Sequence, residues 1–108
     1  LTYNYLINNY MPFVNKNKSY SFNMTIDNSL AALSSFEGSE VLINNKSGQD
    51  LYIYDNNYFT DDRRFLLEDD ESIVIRGITN TNEVSAKTGT GSGVVYFRSA
   101  YFSNLNQF

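Results

Sequence analysis

From Ser19 onward the chain alternates with a period of two: Tyr20, Phe22, Met24 and Ile26 stand against Ser21, Asn23 and Thr25. That spacing puts four large side chains on one face of an extended segment and predicts a strand. Shorter extended runs follow at residues 40–44 (Glu-Val-Leu-Ile-Asn) and at Leu-Tyr-Ile-Tyr, residues 51–54. Between them lies Asn45-Lys46-Ser47-Gly48-Gln49-Asp50, whose Asn, Ser-Gly and Asp residues supply turn chemistry, so the two runs are expected to form an antiparallel hairpin.

A loop through Asp55-Asn56-Asn57 and Asp61-Asp62-Arg63-Arg64 leads to Phe65-Leu66-Leu67, where extended structure resumes. After the acidic turn Glu68-Asp69-Asp70-Glu71, the run Ser72-Ile73-Val74-Ile75-Arg76 reads as a central strand buried on both faces. Residues 77–82 read as a loop and Glu83-Val84-Ser85-Ala86-Lys87 as a short strand. A glycine-rich hairpin connection, residues 88–93, precedes residues 94–102, the longest strand candidate. Only residues 30–35 (Leu-Ala-Ala-Leu-Ser-Ser) have much helix propensity, and about one and a half turns is too short to stand alone.

Short strands separated by turn signals every eight to twelve residues or so predict an all-β fold, an antiparallel β-sandwich or jelly-roll-like domain. Nothing supplies the helical crossovers of a parallel sheet. At 108 residues the chain matches one domain, expected over residues 20–108. Residues 1–19 break the pattern: Tyr3, Tyr5, Leu6, Ile7, Tyr10 and Phe13 are interrupted by Asn9 and by Pro12, the only proline. This irregular N-terminal arm is expected to pack over the domain's own sheet or to lie on a neighbouring subunit.

Composition narrows the chemistry. The chain has no cysteine and no histidine. Disulfides, thiolate metal sites, the usual general base near neutral pH and the Ser-His and Cys-His pairs are therefore unavailable. With a net charge of -4 and eight scattered Lys and Arg residues, nucleic acid is a poor partner. No apolar run approaches the eighteen or so residues of a membrane span. Abundant Asn suits turns, although an AT-rich genome would also enrich it.

Each remaining motif has an ordinary reading beside a chemical one. Thr88-Gly89-Thr90-Gly91-Ser92-Gly93 resembles a phosphate loop in glycine spacing, but no Lys-Ser or Lys-Thr follows and the next element is a strand. Asp55, Asp61, Asp62, Glu68, Asp69 and Asp70 could gather around Ca²⁺, yet they lack the spacing of a calcium loop. The same acids in wet turns are poorly placed for glycosidase chemistry, which needs a carboxylate pair fixed across a cleft. No catalytic residue, metal site or cofactor is expected. Asn17-Lys18-Ser19, Asn23-Met24-Thr25 and Asn45-Lys46-Ser47 match the N-glycosylation pattern, as chance allows in so Asn-rich a chain.

Aromatic faces remain as the means of binding. Tyr52, Tyr54, Tyr58, Tyr96 and Tyr101 could stack on sugars or on a protein, with one alternate set in the core and the other at an interface. The residues expected to meet a partner are Tyr3, Tyr5, Tyr10 and Phe13 of the arm together with Tyr52, Tyr54, Tyr58 and Tyr101.

The order of motifs over residues 40–103 resembles a known group. A strand is followed by Asn-Lys-Ser-Gly-Gln-Asp (residues 45–50), Leu-Tyr-Ile-Tyr, an acidic loop, Phe-Leu-Leu-Glu-Asp-Asp-Glu-Ser (residues 65–72), Ile-Val-Ile-Arg-Gly (residues 73–77) and Val-Tyr-Phe-Arg (residues 95–98). This is similar to the small β-sandwich modules of tailed-bacteriophage virions: capsid decoration (cement) proteins, head fibres and tail-fibre domains. The departure is Asp70, which stands where the turn before the next strand commonly has Gly. The resemblance does not reach the first 39 residues. It implies a non-enzymatic structural role on the capsid surface of a virion, as a homo-oligomer bound to the major capsid protein or another virion protein. The alternative is a carbohydrate- or receptor-binding module of a tail fibre or adhesin, with tyrosines stacked on sugar and Asn and Asp bonding to hydroxyls.

Overall fold

The computed structural model of the chain describes residues 18–55 and 59–101. Among these residues eight strands run in the order β1 (Lys18–Ile26), β2 (Ala31–Ala32), β3 (Glu40–Asn45), β4 (Leu51–Tyr54), β5 (Phe65–Leu67), β6 (Ser72–Arg76), β7 (Ser85–Thr88) and β8 (Gly93–Tyr101). They form two antiparallel four-stranded sheets, ordered β1-β8-β3-β6 and β2-β7-β4-β5. The pairs β1 with β8, β2 with β7, β3 with β6 and β4 with β5 nest around the β4–β5 connection, so the chain is one long antiparallel hairpin rolled into a jelly roll.

Alternation in the sequence becomes the core. Ile26, Val41, Ile43, Leu51, Ile53, Leu67, Ile75, Val84, Ala86, Val95 and Phe97 are buried together, with Leu33 and Ile78 from the connections. Each fully buried Val, Leu, Ile or Phe contributes about 1.5–3 kcal/mol. At the β1 edge, Phe22 stacks on Phe97 at 5.0 Å and meets Phe36 at 4.7 Å, and Phe36 lies 5.3 Å from Tyr20. Phe36, from the β2–β3 connection, thus covers inward-facing rings that the short strand β2 does not reach.

Several sequence expectations are corrected. β3 and β4 lie in different sheets, so residues 45–50 turn a corner of the sandwich rather than close a hairpin. The glycine-rich segment before β8 is likewise a corner, since β7 and β8 also lie in different sheets. Asn and Gly provide the same backbone freedom to either connection, and only the distant pairing partners decide which one forms. β6 is an edge strand rather than a central one, with Ile73 and Ile75 turned inward and Val74 exposed. The stretch with helix propensity becomes β2, held by its pairing with β7, and Leu33 beyond it donates its backbone N–H to the Val84 carbonyl at 2.9 Å. The strand expected at residues 83–87 is β7, two residues later at its start, after a 3-10 turn at Thr81–Glu83. β1 begins at Lys18, inside the span assigned to the arm.

Asp70 resolves the departure at the turn before β6. Its φ is 69°, in the left-handed region where glycine is the usual occupant and Asp is among the residues that tolerate it. Lys46 Nζ donates to Asp70 Oδ1 at 2.8 Å, and Asp69 Oδ1 accepts from the Gly48 backbone N–H at 2.8 Å. The acidic turn therefore ties the β5–β6 connection to the β3–β4 corner.

The 3-10 turn before β7 has a capping box: Asn80 accepts from the Asn82 N–H at 3.0 Å, and Glu83 Oε2 accepts from the Thr79 and Asn80 N–H groups at 3.0 Å each. The Thr79 hydroxyl, followed by these N–H groups, holds the Glu83 carboxyl below its usual 4.5. A depressed carboxyl contributes stability above its unfolded pKa and loses it as pH falls through the folded value. Glu83→Gln is accordingly expected to cost about 1 kcal/mol or less near neutral pH, and the difference from the parent should shrink on acidification below the usual 4.5. Urea unfolding of both proteins across that range checks it.

Candidate functional site

The outer face of the β1-β8-β3-β6 sheet follows directly from the register. One row across it reads Asn23, Tyr96, Asn44, Ser72 and the next Ser21, Arg98, Leu42, Val74. A third reads Ser19, Ala100, Glu40, Arg76. On β8, Val95, Phe97 and Ser99 point into the core, so Val94, Tyr96 and Arg98 must point out. The face exposes Tyr96 (49%), Leu42 (38%), Val74 (37%) and Val94 (37%). Ser21, Asn23, Leu42, Asn44, Tyr96 and Arg98 line a shallow, open depression of about 340 Å³.

Charge on this face is sparse. Arg98 Nε donates to Ser19 Oγ at 2.8 Å, and Arg76 Nε to Glu40 Oε1 at 3.1 Å. Arg98 thus stands among uncharged neighbours, and the face is cationic on a chain of net charge -4. An aromatic ring and an arginine flanked by amides, hydroxyls and half-exposed aliphatic groups suit adhesion: they offer area, directional hydrogen bonds and one charge.

The opposite sheet presents its tyrosines differently. Tyr52 and Tyr54 alternate with the core residues Leu51 and Ile53 and so face outward, but the β4–β5 connection folds back over them. Tyr54 is 1% exposed; its hydroxyl donates to Asp61 Oδ1 at 3.1 Å and accepts from Arg64 Nη1 at 3.3 Å. The Arg64 guanidinium lies 3.9 Å above the Tyr52 ring. The Tyr54 hydroxyl and, less strongly, Asp61 raise the pKa of Arg64 further. Tyr54 is therefore corrected from a partner residue to a buried one, because the chain's own Asp61–Arg63 turn and Arg64 occupy the place a partner would take.

Tyr52 and Tyr101 are half-buried, and Tyr101 lies at the end of β8 opposite Lys18, on the other side of the sheet from Tyr96. Tyr3, Tyr5, Tyr10, Phe13 and Tyr58 lie outside the described residues. The sequence reading weighed Tyr96 as a possible surface ring but left it out of the partner set, and it missed Leu42, Val74, Val94 and Arg98. The parity of β8 carried the signal: counting in twos from Val95 or Phe97 would have set Tyr96 and Arg98 together on the outside.

The carboxylates weighed for a metal or for acid–base work are dispersed among turns. Asp61 bonds Tyr54, Asp69 bonds Gly48, Asp70 pairs with Lys46, and Glu71 accepts from the Glu68 N–H at 2.8 Å. Among the described residues no three acids converge on a point that would hold a cation. Among the described residues the buried Ser99 Oγ has no hydrogen-bond partner. Asn45, in one of the glycosylation matches, is completely buried with its amide committed to the Gln49 and Leu67 carbonyls. Comparison with protein-family models, with curated proteins and with solved structures found no match to this chain.

Proposed function

We propose that this protein is a structural, non-enzymatic module of a tailed-phage virion that sits on the outer surface of the head and stabilises it. Its outer β1-β8-β3-β6 face would lie against the major capsid protein or another virion protein. The observation that carries the adhesive part is the exposed group Leu42, Val74, Val94 and Tyr96 around Arg98, all on one regular sheet. The resemblance of residues 40–103 to virion modules supplies the setting. Many copies on a symmetric shell need only modest affinity per site, because linked contacts raise the effective concentration. Arg98 asks for a carboxylate or a carbonyl cluster opposite it.

Purified protein mixed with phage particles is expected to co-sediment with them in a fixed ratio. Tyr96→Asp with Leu42→Asp should remove that binding, a loss of about thirtyfold or more, while leaving thermal unfolding close to the parent's because both side chains point away from the core. Free protein at every particle concentration would overturn the reading. A second reading, a carbohydrate-binding module, is favoured by one detail, the row Asn23–Tyr96–Asn44, which sets an exposed ring between two amides. Glycan binding lost in Tyr96→Ala, without particle binding, would decide for it.

A further inference from the structure

We infer that a second copy of this chain pairs with the free edge of β6, strand to strand and antiparallel about Val74, joining two four-stranded sheets into one of eight.

The argument begins with the direction of backbone groups. Gly77 donates to the Ser39 carbonyl at 3.0 Å and Asn45 to the Glu71 carbonyl at 2.9 Å. Both pairs lie in the register that matches Glu40 with Arg76 and Asn44 with Ser72. Hydrogen-bonded pairs alternate along an antiparallel ladder, so Ile73 and Ile75 exchange bonds with β3. The N–H and C=O groups of Ser72, Val74 and Arg76 point the other way, off the sheet, and among the described residues no strand pairs there.

Such an edge is a template for another chain unless it is blunted. β6 has few of the usual devices: no proline, no lysine, no inward-pointing charge and no break in its register with β3, and its one charge, Arg76, stands at the end of the strand. The other edges differ. β2 and β5 have two and three residues, and β1 shows only Ser19, Ser21, Asn23 and Thr25 on its outer side.

The occupant follows from self-complementarity. An antiparallel pair centred on Val74 sets Ser72 opposite the second copy's Arg76 and Ile73 opposite its Ile75. Ile73 is only partly covered in the single chain, and Ile75, at 7%, is the most exposed member of the buried core, so both gain cover. On the outer face the apolar pair Leu42–Val74 becomes a stripe of four side chains across the two-fold axis. Charge selects the antiparallel sense. The acidic turn at residues 68–71 precedes the strand and Arg76 ends it, so antiparallel pairing brings each Arg76 to the other copy's acids. Parallel pairing would align acid with acid. This inference stands apart from what the outer face binds, although an eight-stranded sheet would double that face.

The cysteine-free chain makes a clean test. Cα atoms of a hydrogen-bonded antiparallel pair are about 5.5 Å apart, within the range a disulfide spans. Val74→Cys is therefore expected to form a covalent dimer on mild oxidation. Ser72→Cys should not, since its counterpart sits four residues along the strand. In sedimentation velocity the parent should show a concentration-dependent dimer and Val74→Lys a monomer. Val74→Pro should also be monomeric, since the N–H it removes makes no bond among the described residues. Reduced Val74→Cys, with unchanged thermal unfolding and an unchanged dimer, separates loss of pairing from loss of folding. A parent that stays monomeric at all concentrations, a Val74→Lys dimer, or cross-linking by Ser72→Cys as efficient as by Val74→Cys would each overturn the inference.

Discussion

Gly93→Ala is expected to be the most damaging small substitution in the described part of the chain, lowering stability by about 3 kcal/mol or more. Gly93 opens β8 and pairs with Ile26. A Cβ added there would lie 2.2 Å from the Ser47 carbonyl oxygen, 2.6 Å from Ser47 Cα and 2.7 Å from its carbonyl carbon. Every one of those atoms is backbone, so no rotamer change relieves the contact; either the β3–β4 corner or the start of β8 must move. Both are tied to the core, through Asn45 on one side and Val95 on the other. At about 4–8 °C per kcal/mol for a domain of this size, the melting temperature should fall by more than about 10 °C. Gly89→Ala is the control, since its Cβ would meet Tyr52 Cε2 at 3.4 Å, an ordinary contact. A Gly93→Ala protein that melts with the parent would mean that the corner does not cross β8 in this way.

The second large effect is expected at Asn45, one step away on the same corner. Its side chain is completely buried and makes four hydrogen bonds. Nδ2 donates to the Gln49 carbonyl at 2.8 Å and to the Leu67 carbonyl at 2.9 Å. Oδ1 accepts from the Ser47 N–H at 3.1 Å and the Ser47 hydroxyl at 2.7 Å. The first and third shape the corner, while the bond to Leu67 reaches from one sheet to the other. Asn45→Ala leaves the Leu67 carbonyl buried without its amide donor and opens a cavity, together about 3 kcal/mol. Asn45→Asp is expected to be at least as harmful near neutral pH, because it sets a carboxylate against two carbonyls, and to recover partly in acid, where the protonated form can donate once. Denaturant titrations at two pH values separate the cases. Equal stability of Asn45→Asp and parent would remove the inter-sheet bond from the account.

Both predictions concern residues read from the sequence as parts of a loop, and the reason is instructive. Asn45, Ser47 and Gly48 have the composition of a hairpin turn, and a corner between sheets draws on the same side-chain hydrogen bonds and the same left-handed glycine. What distinguishes them is the identity of the strands paired on either side. β3 pairs with β8 and β6, and β4 with β7 and β5, partners up to 60 residues distant along the chain. No local pattern encodes that choice.

The candidate site divides in the same way. That Val94, Tyr96 and Arg98 share one side of a strand is written in their spacing. That Asn23 and Asn44 flank the ring requires β1 and β3 to be the neighbours of β8. Conversely, Tyr52 and Tyr54 have the spacing of an exposed aromatic pair, but the returning β4–β5 connection brings Asp61 and Arg64 over them. Exposure is a property of what else folds onto a residue, and alternation reports only which side it is on.

Taken by itself, the sequence determined every strand but β2, the two faces of β1 and an all-β class, because period-two alternation and turn residues act within a few residues of chain. It also withheld histidine and cysteine, which limits the chemistry whatever the fold. Tertiary structure alone decided the strand order, the corners, the edge position of β6 and the open face around Tyr96. Those depend on hydrogen bonds and packing between segments far apart in the chain, where the gain from pairing outweighs weak local preferences such as that of residues 30–35 for helix.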